Sequence, residues 1–212
     1  MLKISEIYSS IQGESSYQGL PCVFVRLTGC NLRCSWCDTA YAFFGGEEKS
    51  VEHILNKVKE TGLSLVEITG GEPLIQEECY ELMTALCDEG LIVLLETGGS
   101  IDTIKVDERV KKIIDFKTPS SLMVDENDWN NISRLIAGDE VKFVICDRAD
   151  YDWSIDMIKE YELENKTIVN LSPVHNVLQP AELIKWIMED SLDVRVNLQL
   201  HKYIWGDKAV GV

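Results

Sequence analysis

The sequence alternates between short runs of β-branched and other apolar residues and stretches with helical periodicity. Seven strands are predicted, at Val23–Leu27, Leu65–Thr69, Ile92–Glu96, Lys112–Phe116, Val141–Ile145, Thr167–Leu171 and Val194–Leu198. Such alternation is typical of parallel sheets whose crossover connections are helices. Because seven strands are too few for a closed eight-stranded barrel, we predict an α/β fold with a partial, open β/α barrel of mostly parallel strands. A doubly wound open sheet is the alternative.

Helices are predicted between many of the strands, and capping residues mark several of their ends. Ser50 is an N-cap candidate, Gly62 and Gly90 follow two helices where a C-terminal glycine belongs, and Pro180 stands near a helix start. No repeat or linker-like tract divides the 212 residues, so we expect one domain, 1–212. The predicted helices are Val51–Thr61, Glu77–Glu89, Trp153–Tyr161 and Ala181–Asp190, with Asn127–Ile136 as a shorter candidate.

The charge balance disfavours several classes of partner. The chain has 36 acidic and 20 basic side chains and a net charge of -16, which repels nucleic-acid backbones and anionic lipid surfaces. No apolar run approaches the ~18 residues of a membrane-spanning helix. The N-terminus lacks the basic and apolar regions of a secretory signal. We therefore expect a cytoplasmic protein with no nucleic-acid or membrane partner.

Three of the seven cysteines are close together, at Cys30, Cys34 and Cys37, with the spacing C-x3-C-x2-C. In a reducing cytosol, clustered cysteines more often bind metal or do chemistry than form disulfides. Structural zinc sites need four ligands, and electron-carrying clusters usually have four cysteines. Three cysteines would leave one iron of a 4Fe–4S cluster open. The remaining cysteines, interpreted as inert core residues, are Cys22, Cys79, Cys87 and Cys146.

Glycines and polar residues follow six of the predicted strands. In parallel α/β folds, functional groups gather at the carboxyl ends of the strands. The need for turn residues explains the glycines there, but not the concentration of acidic, basic, histidine and cysteine side chains. We therefore expect one functional site along this rim.

Two of these segments carry a family resemblance. The C-x3-C-x2-C motif after a strand, with Trp36 before its third cysteine, and Gly70-Gly71-Glu72-Pro73 after the next strand together resemble radical S-adenosylmethionine (SAM) enzymes. The resemblance implies the open barrel of that family and a 4Fe–4S cluster whose open iron binds SAM and yields a 5′-deoxyadenosyl radical. The residues that it implies for SAM binding are Gly70, Gly71, Glu72, Gly99, Lys117, Ser120, Ser172 and His175.

Three further segments narrow the resemblance. Ser10–Glu14, Cys37–Thr39 and Gln199–Trp205 resemble the 7-carboxy-7-deazaguanine synthase family over nearly the whole chain. This implies conversion of 6-carboxy-5,6,7,8-tetrahydropterin to 7-carboxy-7-deazaguanine with loss of ammonia, in queuosine and 7-deazapurine biosynthesis. It also implies catalytic use of SAM, dependence on Mg²⁺, a homodimer, and a reductant such as a flavodoxin or ferredoxin.

The resemblance assigns residues to this reaction, with the radical chemistry itself carried by the cofactor. Thr39 would bind Mg²⁺, and Arg26 would pair with the substrate carboxylate, a contact that suits a guanidinium group. The implied substrate-binding residues are Ile11, Gln12, Gly13, Glu14, Arg26, Thr97 and His201. One position departs from the family motif, because Ser15 stands where a glycine is expected.

Several alternatives remain open from the residues. The chain would also suit a radical activase that acts on a glycine of a partner protein, or a non-catalytic iron–sulfur electron carrier with a fourth cysteine ligand. Arg26 lies inside an apolar run and needs a partner, which is either a structural carboxylate or a substrate. The tail 206–212 is consistent with a C-terminal carboxylate that reaches the site.

Overall fold

The structure, a computed structural model, describes residues 1–206 and 211 and contains a nine-stranded sheet. The strand order in the sheet is β3-β1-β2-β4-β5-β6-β7-β8-β9. β1 is antiparallel to both β2 and β3, and the neighbours from β2 through β9 are parallel. The strands are β1 Leu2–Ile11, β2 Pro21–Leu27, β3 Glu47–Lys49, β4 Leu65–Gly70, β5 Ile92–Thr97, β6 Lys111–Phe116, β7 Glu140–Ile145, β8 Ile168–Pro173 and β9 Arg195–Val196.

Five α-helices accompany the sheet in the described part of the chain. They are α1 Val51–Glu60, α2 Glu78–Asp88, α3 Arg148–Glu160, α4 Pro180–Asp190 and α5 Leu200–Trp205. The predicted caps are present: the Ser50 side chain accepts a hydrogen bond from the backbone N–H of His53, and Gly62 and Gly90 have φ angles of 70° and 78°. Among the described residues, no helix has both the length and the apolarity that a membrane crossing requires.

The predicted open barrel is confirmed, because the nine strands, most of them parallel, form one unclosed sheet that ends at β3 on one side and β9 on the other. The strands β1 and β3 were not predicted from the sequence. Charged and hydroxyl side chains interrupt β1, and β3 has only three residues. The last predicted strand is also shorter than expected, with only Arg195–Val196 paired to β8.

Two helix predictions were wrong in their bounds or type. α3 begins at Arg148, five residues before the predicted start, because the Asp147 side chain accepts a hydrogen bond from the N–H of Asp150 and caps the helix there. The Asn127–Ile136 candidate is a 3-10 helix over Trp129–Arg134, begun by an Asp128 cap.

The two faces of the sheet differ in character. On the outer face, alternate residues of each parallel strand pack against the helices in two apolar clusters, one around β2, β4 and β5 and the other around β6, β7 and β8. The inner face has a small apolar cluster formed by Cys22, Phe24, Leu65, Leu94 and Ile113. Farther along several of the same strands, inner positions carry charged residues. Because successive side chains of a strand point to opposite faces of the sheet, these charged side chains lie on the inner, curved face.

The loop 12–20, between β1 and β2, crosses this inner face. Gln12 contacts Glu67 on β4, and two residues later Glu14 contacts Lys142 on β7. Ser16 then donates its backbone N–H to Glu140, also on β7. Because β5 and β6 lie between β4 and β7 in the sheet, one short loop can contact both only if the sheet is strongly curved.

Ser15, the departure from the family motif, has a left-handed backbone conformation. Its φ angle is 61°, and its hydroxyl oxygen accepts a hydrogen bond from the backbone N–H of Tyr17. A left-handed conformation costs a non-glycine residue about 1–2 kcal/mol. The glycine expected here would therefore ease this turn, and the serine forms it at a cost in strain.

Replacing Ser15 with glycine and with alanine separates backbone strain from the hydroxyl contact. Both variants lose the contact to Tyr17, but only alanine keeps a β-carbon in the left-handed region. We expect Ser15→Gly to be the more stable of the two by about 1 kcal/mol in urea unfolding. Equal stability would show that the turn carries no backbone strain.

Candidate active site

A cavity of about 830 Å³ opens at the carboxyl ends of the parallel strands. The cysteine loop lines one part of it and the Ile11–Glu14 motif another, with residues of β4 through β8 and the segment before α5 completing the wall. The structure thus brings together most of the residues that the sequence singled out. The expected rim site is a deep cavity rather than a surface groove.

Cys30, Cys34 and Cys37 all line the cavity, and all three are free thiols. Their loop is tied down by backbone hydrogen bonds: Glu72 N–H donates to the Gly29 carbonyl over 2.9 Å, and Ser35 N–H donates to the Ser121 carbonyl over 3.1 Å. Three partly exposed thiols on one short loop supply the soft donors that an iron–sulfur cluster requires. Among residues 1–206 and 211, no group of three His, Cys, Asp or Glu is arranged to hold a single metal ion.

The glycines of Gly70-Gly71-Glu72-Pro73 lie against the cysteine loop. A β-carbon on Gly71 would overlap the Gly29 carbonyl and would lie 2.5 Å from the Cys30 β-carbon. Only glycine therefore lets this turn approach the loop so closely. The fit between the two motifs is consistent with a cluster and its SAM ligand sharing this end of the cavity.

Glu72, in contrast, does not line the cavity. Its buried carboxylate accepts hydrogen bonds from Leu74 N–H, the Thr97 hydroxyl and Gly98 N–H, the last over 2.7 Å. Burial raises the pKa of Glu72, although these donors and Lys117 act in the opposite direction. In this geometry Glu72 ties the end of β4 to the end of β5, and its side chain does not point to the cavity.

The other residues predicted to bind SAM divide into two groups. Lys117, Ser172 and His175 line the cavity. The buried Ser172 hydroxyl has no hydrogen-bond partner among the described residues, so it is available to a ligand. Gly99 and Ser120 do not line the cavity: a β-carbon on Gly99 would contact Phe116, and the Ser120 carbonyl accepts a hydrogen bond from the Ser35 hydroxyl of the cysteine loop.

All seven residues predicted to bind substrate line the cavity. The segment before and within α5 packs onto the Ile11–Glu14 motif: Leu200 N–H donates to the Gly13 carbonyl, and the Gln199 side chain donates to Glu14, both over 2.9 Å. A β-carbon on Gly13 would overlap the His201 ring. Two motifs almost 190 residues apart in the sequence therefore form one surface.

Arg26 has a structural partner as well as a place in the cavity wall. Its Nε donates to Glu6 over 2.7 Å, and its Nη2 donates to the Tyr8 hydroxyl over 3.1 Å. Burial alone would lower the pKa of Arg26, but Tyr8, Tyr41 and Glu6 together raise it, so the guanidinium stays charged. The sequence left open whether Arg26 pairs with a structural carboxylate or with a substrate. The structure shows a structural carboxylate, that of Glu6 on β1.

A charge cluster around the buried Lys142, on the inner face of the sheet, was not predicted from the sequence. The Lys142 ammonium lies 2.9 Å from Glu14 and 3.5 Å from Asp115, and it also contacts Glu96. Burial opposes the charge on Lys142, but the three carboxylates raise its pKa well above the ordinary value. The available signal was a charged residue inside an apolar strand run, as in Val-Lys-Phe-Val-Ile at residues 141–145.

Glu67 is a second missed residue in the cavity wall. Burial, followed by the nearby carboxylates of Glu96 and Glu14, raises its pKa well above the ordinary value, although Gln12 donates a hydrogen bond to it. Arg26 on the adjoining strand β2 and the Tyr8 phenol on β1 also lie near it. Glu67 is therefore a buried carboxyl group with a strong tendency to hold its proton.

Thr39 lies in the cavity wall directly after the cysteine loop, with its hydroxyl oxygen 3.7 Å from the Cys37 sulfur. The neighbouring Asp38 is held by Lys202 of α5 over 2.7 Å. The four outlying cysteines are elsewhere: among residues 1–206 and 211, none of them lines the cavity. Cys22, Cys79 and Cys87 are buried, as interpreted, whereas Cys146 is partly exposed.

The C-terminal tail was expected to approach the site. Gly206 and Gly211 line the cavity. Residues 207–210 and 212, including the terminal carboxylate, lie outside the described residues.

Comparisons with protein families, curated proteins and solved structures each find a match that covers most of the chain. The model of the Radical SAM superfamily matches residues 24–187. A 7-carboxy-7-deazaguanine synthase from Koribacter versatilis is 45% identical, with 100% of both chains covered, and one from Chlorobaculum tepidum is 44% identical over 100% of this chain and 97% of its own. The crystal structure of QueE from Escherichia coli matches with a TM-score of 0.77 at 22% identity, over 94% of each chain, which shows the shared fold.

Glu67→Gln should stabilise the protein in a pH-dependent way. Because the pKa of Glu67 is raised in the folded state, unfolding near neutral pH releases its proton, and that linkage weakens the native state as the pH rises above the ordinary glutamate value. Glutamine mimics the protonated form and accepts the same hydrogen bond from Gln12. We expect the melting temperature of the variant to match the wild type near pH 4 and to exceed it by a few degrees at pH 7. A gap that does not grow with pH would contradict the raised pKa.

Proposed function

The chain belongs to the Radical SAM superfamily and, within it, to the 7-carboxy-7-deazaguanine synthase family, and we propose that it converts 6-carboxy-5,6,7,8-tetrahydropterin to 7-carboxy-7-deazaguanine with loss of ammonia. Membership of the superfamily implies a 4Fe–4S cluster and SAM as cofactors. When bound, they supply the 5′-deoxyadenosyl radical chemistry. The chain's own residues bind, orient and enclose the reactants.

The observation that carries this proposal is that one cavity joins two sets of residues. The cysteine loop and Gly70-Gly71 form one part of its wall, and the Ile11–Glu14 motif with Arg26 forms another. Radical chemistry requires a generator and a substrate site in one enclosed space, so that the reactive species meets the substrate and not water. The electron-carrier alternative needs a fourth cysteine ligand, and no outlying cysteine among the described residues lines this cavity.

Roles for individual residues follow as proposals. We assign the cluster to Cys30, Cys34 and Cys37, and SAM to the cavity residues Gly70, Gly71, Lys117, Ser172 and His175. Substrate would lie against Ile11–Glu14, Thr97 and His201. Thr39, with its hydroxyl oxygen in the cavity wall, is the proposed Mg²⁺ ligand, because Mg²⁺ prefers oxygen donors.

Arg26 keeps a proposed role in substrate binding despite its contact with Glu6. A guanidinium group has five N–H donors, and the contacts to Glu6 and Tyr8 use two of them. Glu6 and Tyr8 would then fix the orientation of the guanidinium, which the substrate carboxylate approaches from the cavity.

The cellular compartment, the oligomeric state and the reductant of the enzyme are also proposals. All seven cysteines are free thiols, which suits a reducing cytoplasm. By resemblance to the family, we propose a homodimer and a flavodoxin-like or ferredoxin-like reductant.

Product analysis tests the reaction. The protein, reconstituted with iron and sulfide without oxygen and reduced, is given SAM, Mg²⁺ and 6-carboxytetrahydropterin, and the products are followed by mass spectrometry. We expect several turnovers of 7-carboxy-7-deazaguanine without a matching loss of SAM, and no product from Cys34→Ser. Cys146→Ser, which alters a partly exposed cysteine outside the cavity, should remain active. SAM cleavage without deazaguanine would keep the radical class and point to a protein substrate.

Arg26→Ala tests the carboxylate contact. We expect the KM for the pterin to rise about 30-fold or more, since loss of one partner of a buried charge pair costs at least that much in binding. Arg109→Ala is the control, because Arg109 is also held by carboxylates, here Asp88 and Asp107, but is exposed and lies outside the cavity. An unchanged KM and kcat in Arg26→Ala would remove Arg26 from substrate binding.

A further inference from the structure

The substrate-binding motif lies in a loop that has little secondary structure of its own. After Ile11, the last residue of β1, the hydrogen bonds Gln12 N–H to Leu20 carbonyl and Gly19 N–H to Gln12 carbonyl close the base of the loop 12–20. Residues 13–18 extend beyond this base across the inner face of the sheet. The position of Glu14 therefore depends on what the loop contacts there.

Alternate side chains of the loop make those contacts. The Gln12 amide donates to Glu67 on β4, Glu14 accepts from Lys142 on β7, and the Ser16 hydroxyl donates to Glu140 on β7. The middle contact is the ion pair: Glu14 and Lys142 are 2.9 Å apart, and only 5% of the Lys142 side chain is exposed. The loop is thus fastened to both sides of the open barrel, with Lys142 at the centre.

Lys142 links more than two elements. Its ammonium contacts carboxylates from the loop, from β5 and from β6, namely Glu14, Glu96 and Asp115. Lys117 also lies in this part of the cavity wall, and it pairs with Asp115 over 3.1 Å but makes no ion pair with Glu14 or Glu96. Without Lys142, the neighbouring and largely buried carboxylates of Glu14 and Glu96 would have no ion-pair partner among the described residues, and they would repel each other.

We infer that Lys142 is a positioning residue for substrate binding: through Glu14 and Glu96, it holds the loop 12–20 across the cavity in the place that the substrate requires. This inference rests on the proposed function, since that function makes the loop a substrate site. Gln199 donates a hydrogen bond to Glu14 from the opposite side, so the carboxylate is held between two donors. Lys142 acts through Glu14 and takes no part in the radical chemistry itself.

Lys142→Met tests the inference against a closely matched control. Lys112 on β6 is equally buried and pairs with Asp139 over 2.7 Å, but it does not line the cavity. In Lys142→Met we expect the KM for the pterin to rise about 30-fold or more, with a smaller change in kcat and with SAM cleavage in the absence of pterin retained. Lys112→Met should leave the KM unchanged. Lys142→Arg, which keeps the charge, should recover most of the lost affinity.

A second readout does not depend on turnover. In the cluster-loaded protein without substrate, hydrogen–deuterium exchange of peptides covering residues 12–20 should be faster in Lys142→Met and unchanged in Lys112→Met. If Lys142→Met does not fold, Glu14→Gln replaces it, because it removes the same ion pair and leaves Gln199 a partner. Faster exchange in the loop supports the inference, and exchange equal to the wild type overturns it.

The proposed function and the positioning role of Lys142 would fail with different experimental results. A wild-type protein that forms no deazaguanine contradicts the proposed function, whereas the exchange measurement still decides whether Lys142 holds the loop. Normal product formation with an unchanged KM in folded Lys142→Met overturns the positioning role alone. An equal rise of KM in Lys142→Met and Lys112→Met would also overturn it, because the effect would then belong to any buried lysine of the sheet.

Discussion

Charge pairing inside the open barrel is the constraint on which the site depends. The inner face of the sheet holds Arg26, Glu67, Glu96 and Lys142 near one another in largely buried positions, and an unpaired buried charge is too costly to persist. Each ionised member therefore has a partner from another element. Arg26 is held by Glu6 and Tyr8 on β1, and Lys142 by carboxylates from three elements. These pairs both satisfy the buried charges and fix the relative positions of strands and loops around the cavity.

The same pairs explain how the interior of a curved, unclosed sheet can still be filled in part by an ordered loop. A closed barrel fills its centre with packed side chains, but here the strands end at the edges β3 and β9. The loop 12–20 occupies part of the space, and its contacts with β4 and β7 hold it there. Gln12, Gly13 and Glu14 of the loop line the cavity that remains. The loop 12–20 therefore fills part of the interior and also carries the proposed substrate-binding residues.

The two halves of the proposed active site are built in different ways. The cysteine loop depends on backbone contacts and on the close approach of Gly71. The substrate motif depends on side-chain ion pairs and hydrogen bonds. Glu72 belongs to the first kind: although it stands in the most recognisable motif, it links β4 to β5 through Thr97 and Gly98 and does not reach the cavity. A motif residue can thus support a site without touching its ligand.

The sequence by itself determined the elements whose signals are local. Apolar runs of five residues predicted the parallel strands, Ser50 and Gly62 marked the ends of α1, and the spacing of Cys30, Cys34 and Cys37 indicated the cluster. Only the tertiary structure decided which distant side chains meet. A lysine within an apolar run has no partner that the sequence identifies, because Glu14, Glu96 and Lys142 lie in three elements that come together only when the sheet curves. For the same reason, the partner of Arg26 and the hidden position of Glu72 could not be predicted, since pairing across strands depends on register and not on local propensity.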